Sequence, residues 1–268
     1  MKSTAILILA FSCFLSVQAQ DSLFRFSRSI PGNFSTVYTD YLGNIYAVTT
    51  GNQLRKFNEQ GDSVAVFNNV RRYGSLTFID VTNPLKLLLY YESYATVQVL
   101  DRFLDSRHTI NLRQQGIFNV KTIGSSYDNN IWVFDEADAK LKKVDETGTV
   151  LTETNDLRQV LDTVPSPGYL YDQDGLVFLY DTNRGWYVFD NYGSFKNRIP
   201  FTGWSDVQVI GGYLMGFSGN QLMQYQPGSM QLRSFVLPPG SERAGKRAAS
   251  PGTLVLMHDN ALLVYRIR

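Results

Sequence analysis

The tetrapeptide Gly-Asn-Gln-Leu occurs at 51–54 and again at 219–222, 168 residues apart, which is four times 42. A recurrence near 42 residues, on a chain that alternates apolar and polar residues, is what a stack of four-stranded sheets around an axis requires. Each unit repeats strand, turn, strand, tight turn, strand, Gly-containing turn, strand. In the first unit the strands are Phe34–Thr39, Ile45–Thr49, Leu54–Phe57 and Ser63–Phe67, with Asp40–Asn44, Thr50–Gln53 and Asn58–Asp62 between them. Gly and Asn fall where hairpins need a left-handed backbone.

Later units begin with strands at Ser75–Ile79, Val120–Ser125, Gly168–Tyr171, Val207–Ile210 and Arg247–Ser250. The sixth holds only three strands, Arg247–Ser250, Thr253–His258 and Leu262–Ile267, and one segment, Ser22–Ser29, is left over near the start. Pairing Ser22–Ser29 with the sixth unit completes it and removes the free sheet edges that invite aggregation. The expected fold is all-β: a six-bladed β-propeller closed by its N-terminal strand. A β-sandwich accommodates the same number of strands but predicts no 42-residue recurrence.

Met1-Lys2, an apolar run from Ala5 to Val17, and Gln18-Ala19-Gln20 have the three parts of a secretory signal, with the cut expected after Ala19. The run is shorter than the ~20 residues of a bilayer span. The expected organisation is a signal peptide at 1–19 and one propeller domain at 20–268. Cys13 is the only cysteine and lies in the signal. A lipid-anchored reading of Cys13 meets a poor approach sequence, Ala10-Phe11-Ser12, and Phe14 and Leu15 continue the apolar stretch beyond it. The mature chain then needs neither disulfides nor a thiolate metal site. Export by a Gram-negative bacterium follows, to the periplasm, the outer membrane or the medium, with no membrane span in the mature chain.

Lys2 is the one charged residue before the cut, so the 25 basic residues fall to 24, against 24 acidic. Neutral balance gives no electrostatic case for nucleic acid.

The run Asp40-Tyr41-Leu42-Gly43-Asn44-Ile45-Tyr46-Ala47-Val48, followed by Thr50-Gly51-Asn52, Leu54-Arg55-Lys56-Phe57 and Gly61, resembles a repeat of the NHL-type six-bladed propellers. Asp172–Phe178 with Phe189–Gly193 is similar. The Asn-His-Arg part of that motif is absent, so the resemblance implies the fold and carries no activity. Some related six-bladed propellers are metal-dependent hydrolases of sugar lactones, with calcium at the axis, and this is the alternative function. Calcium needs several oxygen ligands, Glu or Asp among them. The expected inner strands contain no carboxylate, although Asp206 stands just before one. Asp40, Asp80, Asp128 and Asp172 are assigned to turns.

Gly240-Ser241-Glu242-Arg243-Ala244-Gly245-Lys246 has the spacing of a phosphate-cradling loop, but Arg247 stands where the magnesium-holding hydroxyl belongs and no helix can follow Ala248–Pro251. His108 and His258, the only two histidines, fall on different blades, too few for zinc without carboxylates. No cofactor, metal ligand or catalytic residue is therefore assigned. Asn155 is expected to cap a helical turn within the longest loop, Glu153–Pro167.

What remains is a surface. Arg71, Arg72, Tyr73, Trp204, Arg243, Lys246 and Arg247 come from three inter-blade loops that the blade plan brings to one rim. Five of the seven are basic, and Arg, Tyr and Trp dominate interface hot spots. The expected function is an exported module that binds or scaffolds a protein or glycan partner, an acidic one by charge, with Tyr73 and Trp204 exposed as anchors.

Overall fold

The computed structural model describes residues 23–268, which form a ring of six four-stranded antiparallel sheets. The signal segment, Cys13 and Ser22 lie outside the described residues. β1 (Phe24–Pro31) is first in the chain and belongs to the last blade. The first blade is β2 (Phe34–Thr39), β3 (Ile45–Thr49), β4 (Leu54–Phe57) and β5 (Ser63–Phe67). The second is β6 (Phe78–Asp80), β7 (Lys86–Tyr91), β8 (Thr96–Asp101) and β9 (Ser106–Asn111). The third is β10 (Val120–Ser125), β11 (Ile131–Asp135), β12 (Lys140–Val144) and β13 (Val150–Glu153). The fourth is β14 (Tyr169–Gln173), β15 (Leu176–Asp181), β16 (Gly185–Asp190) and β17 (Phe195–Ile199). The fifth is β18 (Ser205–Ile210), β19 (Tyr213–Ser218), β20 (Gln221–Gln226) and β21 (Gln231–Val236). The sixth is β22 (Lys246–Ser250), β23 (Thr253–His258), β24 (Ala261–Ile267) and β1.

Closure follows the expectation. β1 pairs antiparallel with β24, from Phe24 opposite Ile267 to Pro31 opposite Ala261, with an irregularity between Phe26 and Arg28. The Arg268 N–H reaches the Leu23 carbonyl at 3.0 Å, and the Gly32 N–H reaches the Asn260 carbonyl at 2.9 Å. Phe24 and Ile30 of the borrowed strand are buried in the sixth blade's two flanking cores.

The middle strands of each blade are covered on both faces by neighbouring blades, so they read as near-continuous apolar runs. β8 and β11 are buried throughout. The outer strands β5, β13 and β21 are largely exposed and carry the polar alternation. Hydrophobic clusters fill the six junctions, for example Leu88, Val97, Ile131 and Val133 between blades two and three. The approach is close at Gly124, where a Cβ would lie 2.6 Å from the Leu170 carbonyl of the next blade. Any side chain there would push the two inner strands apart.

An antiparallel four-stranded meander sends its first and third turns to one face. Its second turn, and the loop to the next blade, go to the other. We call these the turn face and the loop face. Bonds between blades keep all six in the same sense. On the loop face, the Ser166 hydroxyl, on the loop entering blade four, donates to the Glu136 carboxylate of blade three at 2.8 Å, and the Gly203 N–H, on the loop entering blade five, to the Thr182 carbonyl of blade four. On the turn face, Lys86 Nζ donates to the Asn129 carbonyl of the next blade.

Two expectations are corrected. β6 is shorter and later than Ser75–Ile79, because Thr77 to Asp80 pair with β7 while residues 71–76 form turns. In the long loop the turn is a 3-10 turn at Leu157–Gln159, capped not by Asn155 but by Asp156, whose carboxylate accepts from the Arg158 N–H. Leu157 anchors that turn in the core beside Trp132 and Leu170.

Candidate functional site

The loops do bring the seven rim residues to the loop face, but the structure divides them by environment. Arg71, Arg72 and Arg243 are exposed. No ion pair joins them to any described residue. Arg72 lies over the Tyr73 ring, 5.4 Å from its centroid. Tyr73 is half-buried, edge-on to Tyr91, with its hydroxyl 3.3 Å from Thr109 Oγ1.

Trp204 corrects the expectation of an exposed anchor. It is 4% exposed and sits between blades four and five. Phe201 stacks on it at 5.3 Å and Trp186 meets it edge-on at 6.4 Å. Its backbone N–H donates to the Tyr180 hydroxyl at 2.7 Å. A Cβ on Gly216 would come within 3.0 Å of its side chain, so this pocket requires a glycine behind the indole. Trp204 is core and offers no surface to a partner.

Arg247 is tied to its own fold. Its guanidinium donates to the Gly219 carbonyl at 2.7 Å and lies 4.9 Å from the Phe217 ring centroid. Lys246 points to the axis and pairs with Asp206 at 2.9 Å. Burial alone would lower the pKa of its ammonium, but the Asp206 carboxylate outweighs that and holds it above the ordinary lysine value. The other Asp206 oxygen accepts from the Arg247 N–H at 3.1 Å. The segment from Gly240 to Lys246 is an inter-blade loop with a 3-10 turn at Ser241–Arg243, and Lys246 opens a strand rather than facing a helix N-terminus.

The inner strands enclose an axial cavity of about 700 Å³, lined by Thr36, Tyr38, Phe78, Tyr169, Tyr171, Gln208 and Lys246 among others. That volume suits a small ligand or the end of a chain. Tyr169 and Tyr171 stand two apart on β14 and lie nearly parallel, 6.5 Å apart. The Tyr171 hydroxyl donates to the Val207 carbonyl of the next blade at 2.5 Å, and burial pushes its pKa well up. These tyrosines tie inner strands together as well as lining the axis. Sequence reasoning missed them. Their signal was the alternation Tyr169, Tyr171 on a strand whose intervening Leu170 is buried.

The inner strands also carry carboxylates, contrary to expectation, because β6 and β14 extend past Ile79 and Tyr171 and β18 starts at Ser205. Asp80 accepts from the Ser125 N–H at 2.6 Å and from the Thr82 N–H at 2.8 Å. Asp172 accepts from the Trp132 indole and the Ser126 hydroxyl, both at 2.8 Å. With Asp206 held by Lys246, each acid is occupied in joining blades. Asp40 and Asp128 sit in turns, as expected. Among the described residues, no group of three or more His, Cys, Asp and Glu gathers where it could hold a metal ion. His108 lies on β9 and His258 ends β23.

No family model matches the chain, and a search of curated proteins finds no match. Solved structures do resemble it. The β-propeller domain of Cps50 (Swd1) from Myceliophteria thermophila superposes with a TM-score of 0.61 at 10% identity, covering 91% of this chain and 100% of that one. A streptogramin B lyase does so with a TM-score of 0.58 at 9% identity, covering 91% and 97%. BBS1N, solved in complex with ARL6DN, gives 0.56 at 10% identity, covering 92% and 97%. At these identities the likeness shows the fold alone: a six-bladed propeller of the form that the NHL-type resemblance implied.

Proposed function

We propose that the protein is an exported binding module whose partner docks on the loop face. The observation that carries this reading is the set Arg71, Arg72 and Arg243, cations exposed on loops at two points of the rim and free of carboxylate partners among the described residues. Unpaired exposed cations on one face favour an anionic counterpart and steer its approach. The partner is therefore an acidic protein surface or an anionic glycan, with half-buried Tyr73 as the apolar contact beside Arg72. BBS1N, a propeller of the same form, was solved with a second protein, which supports a binding role by analogy of form. Export rests on the signal-like segment Met1–Gln20. Among the described residues, no helix is long and apolar enough to cross a membrane.

The test is capture from the native envelope with immobilised wild type and with the triple variant Arg71→Ala, Arg72→Ala, Arg243→Ala. A specific partner should be retained by wild type, weaken as salt rises, and bind the triple variant roughly tenfold less tightly, about 1.4 kcal/mol. A partner held equally by both proteins overturns the reading. Mass spectrometry of the mature N-terminus tests export: a soluble chain that still starts at Met1 contradicts it.

A further inference from the structure

The turn face carries apolar residues that its turns do not need. Four turns between third and fourth strands share one hydrogen-bonded form: the N–H of the first residue donates to the carbonyl of the fifth, and the fourth N–H donates back to the first carbonyl, at Asn58–Asp62, Asp101–Asp105, Asp145–Thr149 and Asp190–Ser194. The third position of this turn is Gln60 in blade one and Thr147 in blade three. In blades two and four it is Phe103, 60% exposed, and Tyr192, 79% exposed. The same backbone thus accepts polar residues, so the turn fold itself does not call for the aromatics, of which Phe103 has the Arg102 guanidinium 4.6 Å from its ring centroid.

The other turns of this face repeat the pattern. Tyr41 and Leu42 project from blade one, Leu85 from blade two and Tyr127 from blade three. Met230, 80% exposed, tips the turn of blade five. Every blade from one to five presents at least one large apolar side chain here. Blade six has no third-to-fourth turn, because β1 supplies its outer strand. β1 runs from the turn face to the loop face, so the sequence that precedes Phe24, with its apolar run Ala5–Val17, joins the ring at this same face.

The distribution decides what covers these residues. A protein hot spot is a central cluster within a sealed rim. Here the centre of the face is the mouth of the axial cavity, and the apolar tips are spread singly around it, an arrangement that suits a plane. Tyr, Phe, Leu and Met at the ends of short turns are residues that bury a few ångströms deep at a membrane–water boundary. Exposed Glu59, Asp62, Asp105, Glu146 and Asp174 share the face and disfavour an anionic surface. We propose that the turn face rests on a zwitterionic lipid surface, holding the loop face outward.

The test is flotation with phosphatidylcholine–phosphatidylethanolamine vesicles, using both the full chain and a chain starting at Gln20, since all six blades lie within residues 23–268. The variant is Leu85→Ser, Phe103→Thr, Tyr192→Thr, the threonines being the residue that the same turn carries at Thr147. The Gln20 chain should float, with little change between 0.1 and 0.5 M salt (about a twofold drop in Debye length), and the variant should float at least tenfold less at unchanged melting temperature. Trp132, Trp186 and Trp204 are all buried. A Phe103→Trp chain should therefore show a vesicle-dependent blue shift that wild type lacks. Failure of the Gln20 chain to float, equal flotation of the variant, or binding that needs anionic lipid and vanishes in salt each overturns the proposal.

Discussion

The two faces of the ring solve the same problem with different means. On the loop face, connections between blades run up to fifteen residues, from Thr154 to Gly168, and are fixed by tertiary packing, as Leu157 and Trp204 are. On the turn face, connections within blades are short and fixed locally, by carboxylates that accept their own backbone N–H groups: Asp40 from Leu42 and Asn44, Asp101 from Phe103 and Asp105, Asp190 from Tyr192 and Ser194. A locally fixed turn leaves its tip free to be any residue, whereas the long loops spend some of their large residues, Leu157 and Trp204 among them, on the core while Phe118 and Val160 stay exposed. The difference warns against reading an aromatic residue in a long loop as a contact and an aromatic residue in a tight turn as filler.

The comparison is broken most severely at the one strand that runs between both faces as an added piece. Deleting residues 20–31 removes β1 and exposes the edge of β24, and the expected outcome is loss of cooperative unfolding and aggregation, measured by calorimetry and light scattering. Retention of the wild-type melting temperature would refute the role of β1 in closure. Next in size is Trp204→Ala. Emptying that junction should cost about 3–5 kcal/mol of stability in denaturant titration. A loss under 1 kcal/mol would return Trp204 to the surface class.

A smaller effect sharpens the turn side. The Asp190 carboxyl is held below its ordinary pKa, first by Lys196 and then by the Ser194 and Tyr192 N–H groups. A carboxyl depressed in the folded state stabilises fully above its unfolded pKa of about 3.9 and loses that contribution as pH falls through the lower folded value. Asp190→Asn should therefore narrow its stability gap from wild type as pH drops below about 4. An unchanged gap between pH 7 and pH 3 counts against this linkage. The smallest effect belongs to the loop face: Arg71→Ala with Arg72→Ala should shift stability by no more than about 0.5 kcal/mol, as exposed substitutions do. A larger loss would mean that these cations support the loop rather than await a partner.

The four strands of blade one fall where periodicity and turn chemistry put them, because they are separated by Asp40–Asn44, Gly51-Asn52-Gln53 and Asn58–Asp62, each with the Gly, Asn or Asp that a turn requires. β6 begins later than its punctuation suggests, because Leu76 and Thr77 stay outside the regular strand after the turn at Gly74-Ser75. A shortfall of one residue in β6 and two in β14 hid Asp80 and Asp172 in turns, and their partners, Ser125 and Trp132, belong to neighbouring blades that no local pattern connects. Trp204 follows Thr202-Gly203, which reads as exposed loop, and only the folded junction shows Phe201 and Trp186 around it. The exposed arginines were legible because charge needs no tertiary partner to be seen.

The pairing of β1 with β24 also orders the molecule in time. β1, the first strand of the ring to leave the ribosome, waits for the last strand of the ring, a contact that spans nearly all the described residues. Closing so long a loop adds little equilibrium cost, since the entropy grows only with the logarithm of its length, but it delays the final step. Until then β24 offers an open edge with unmet N–H and C=O groups, a template for any passing strand. Blades one to five can assemble in sequence as they appear. The sixth cannot, so chain that stalls or is cut at either end fails at the same blade.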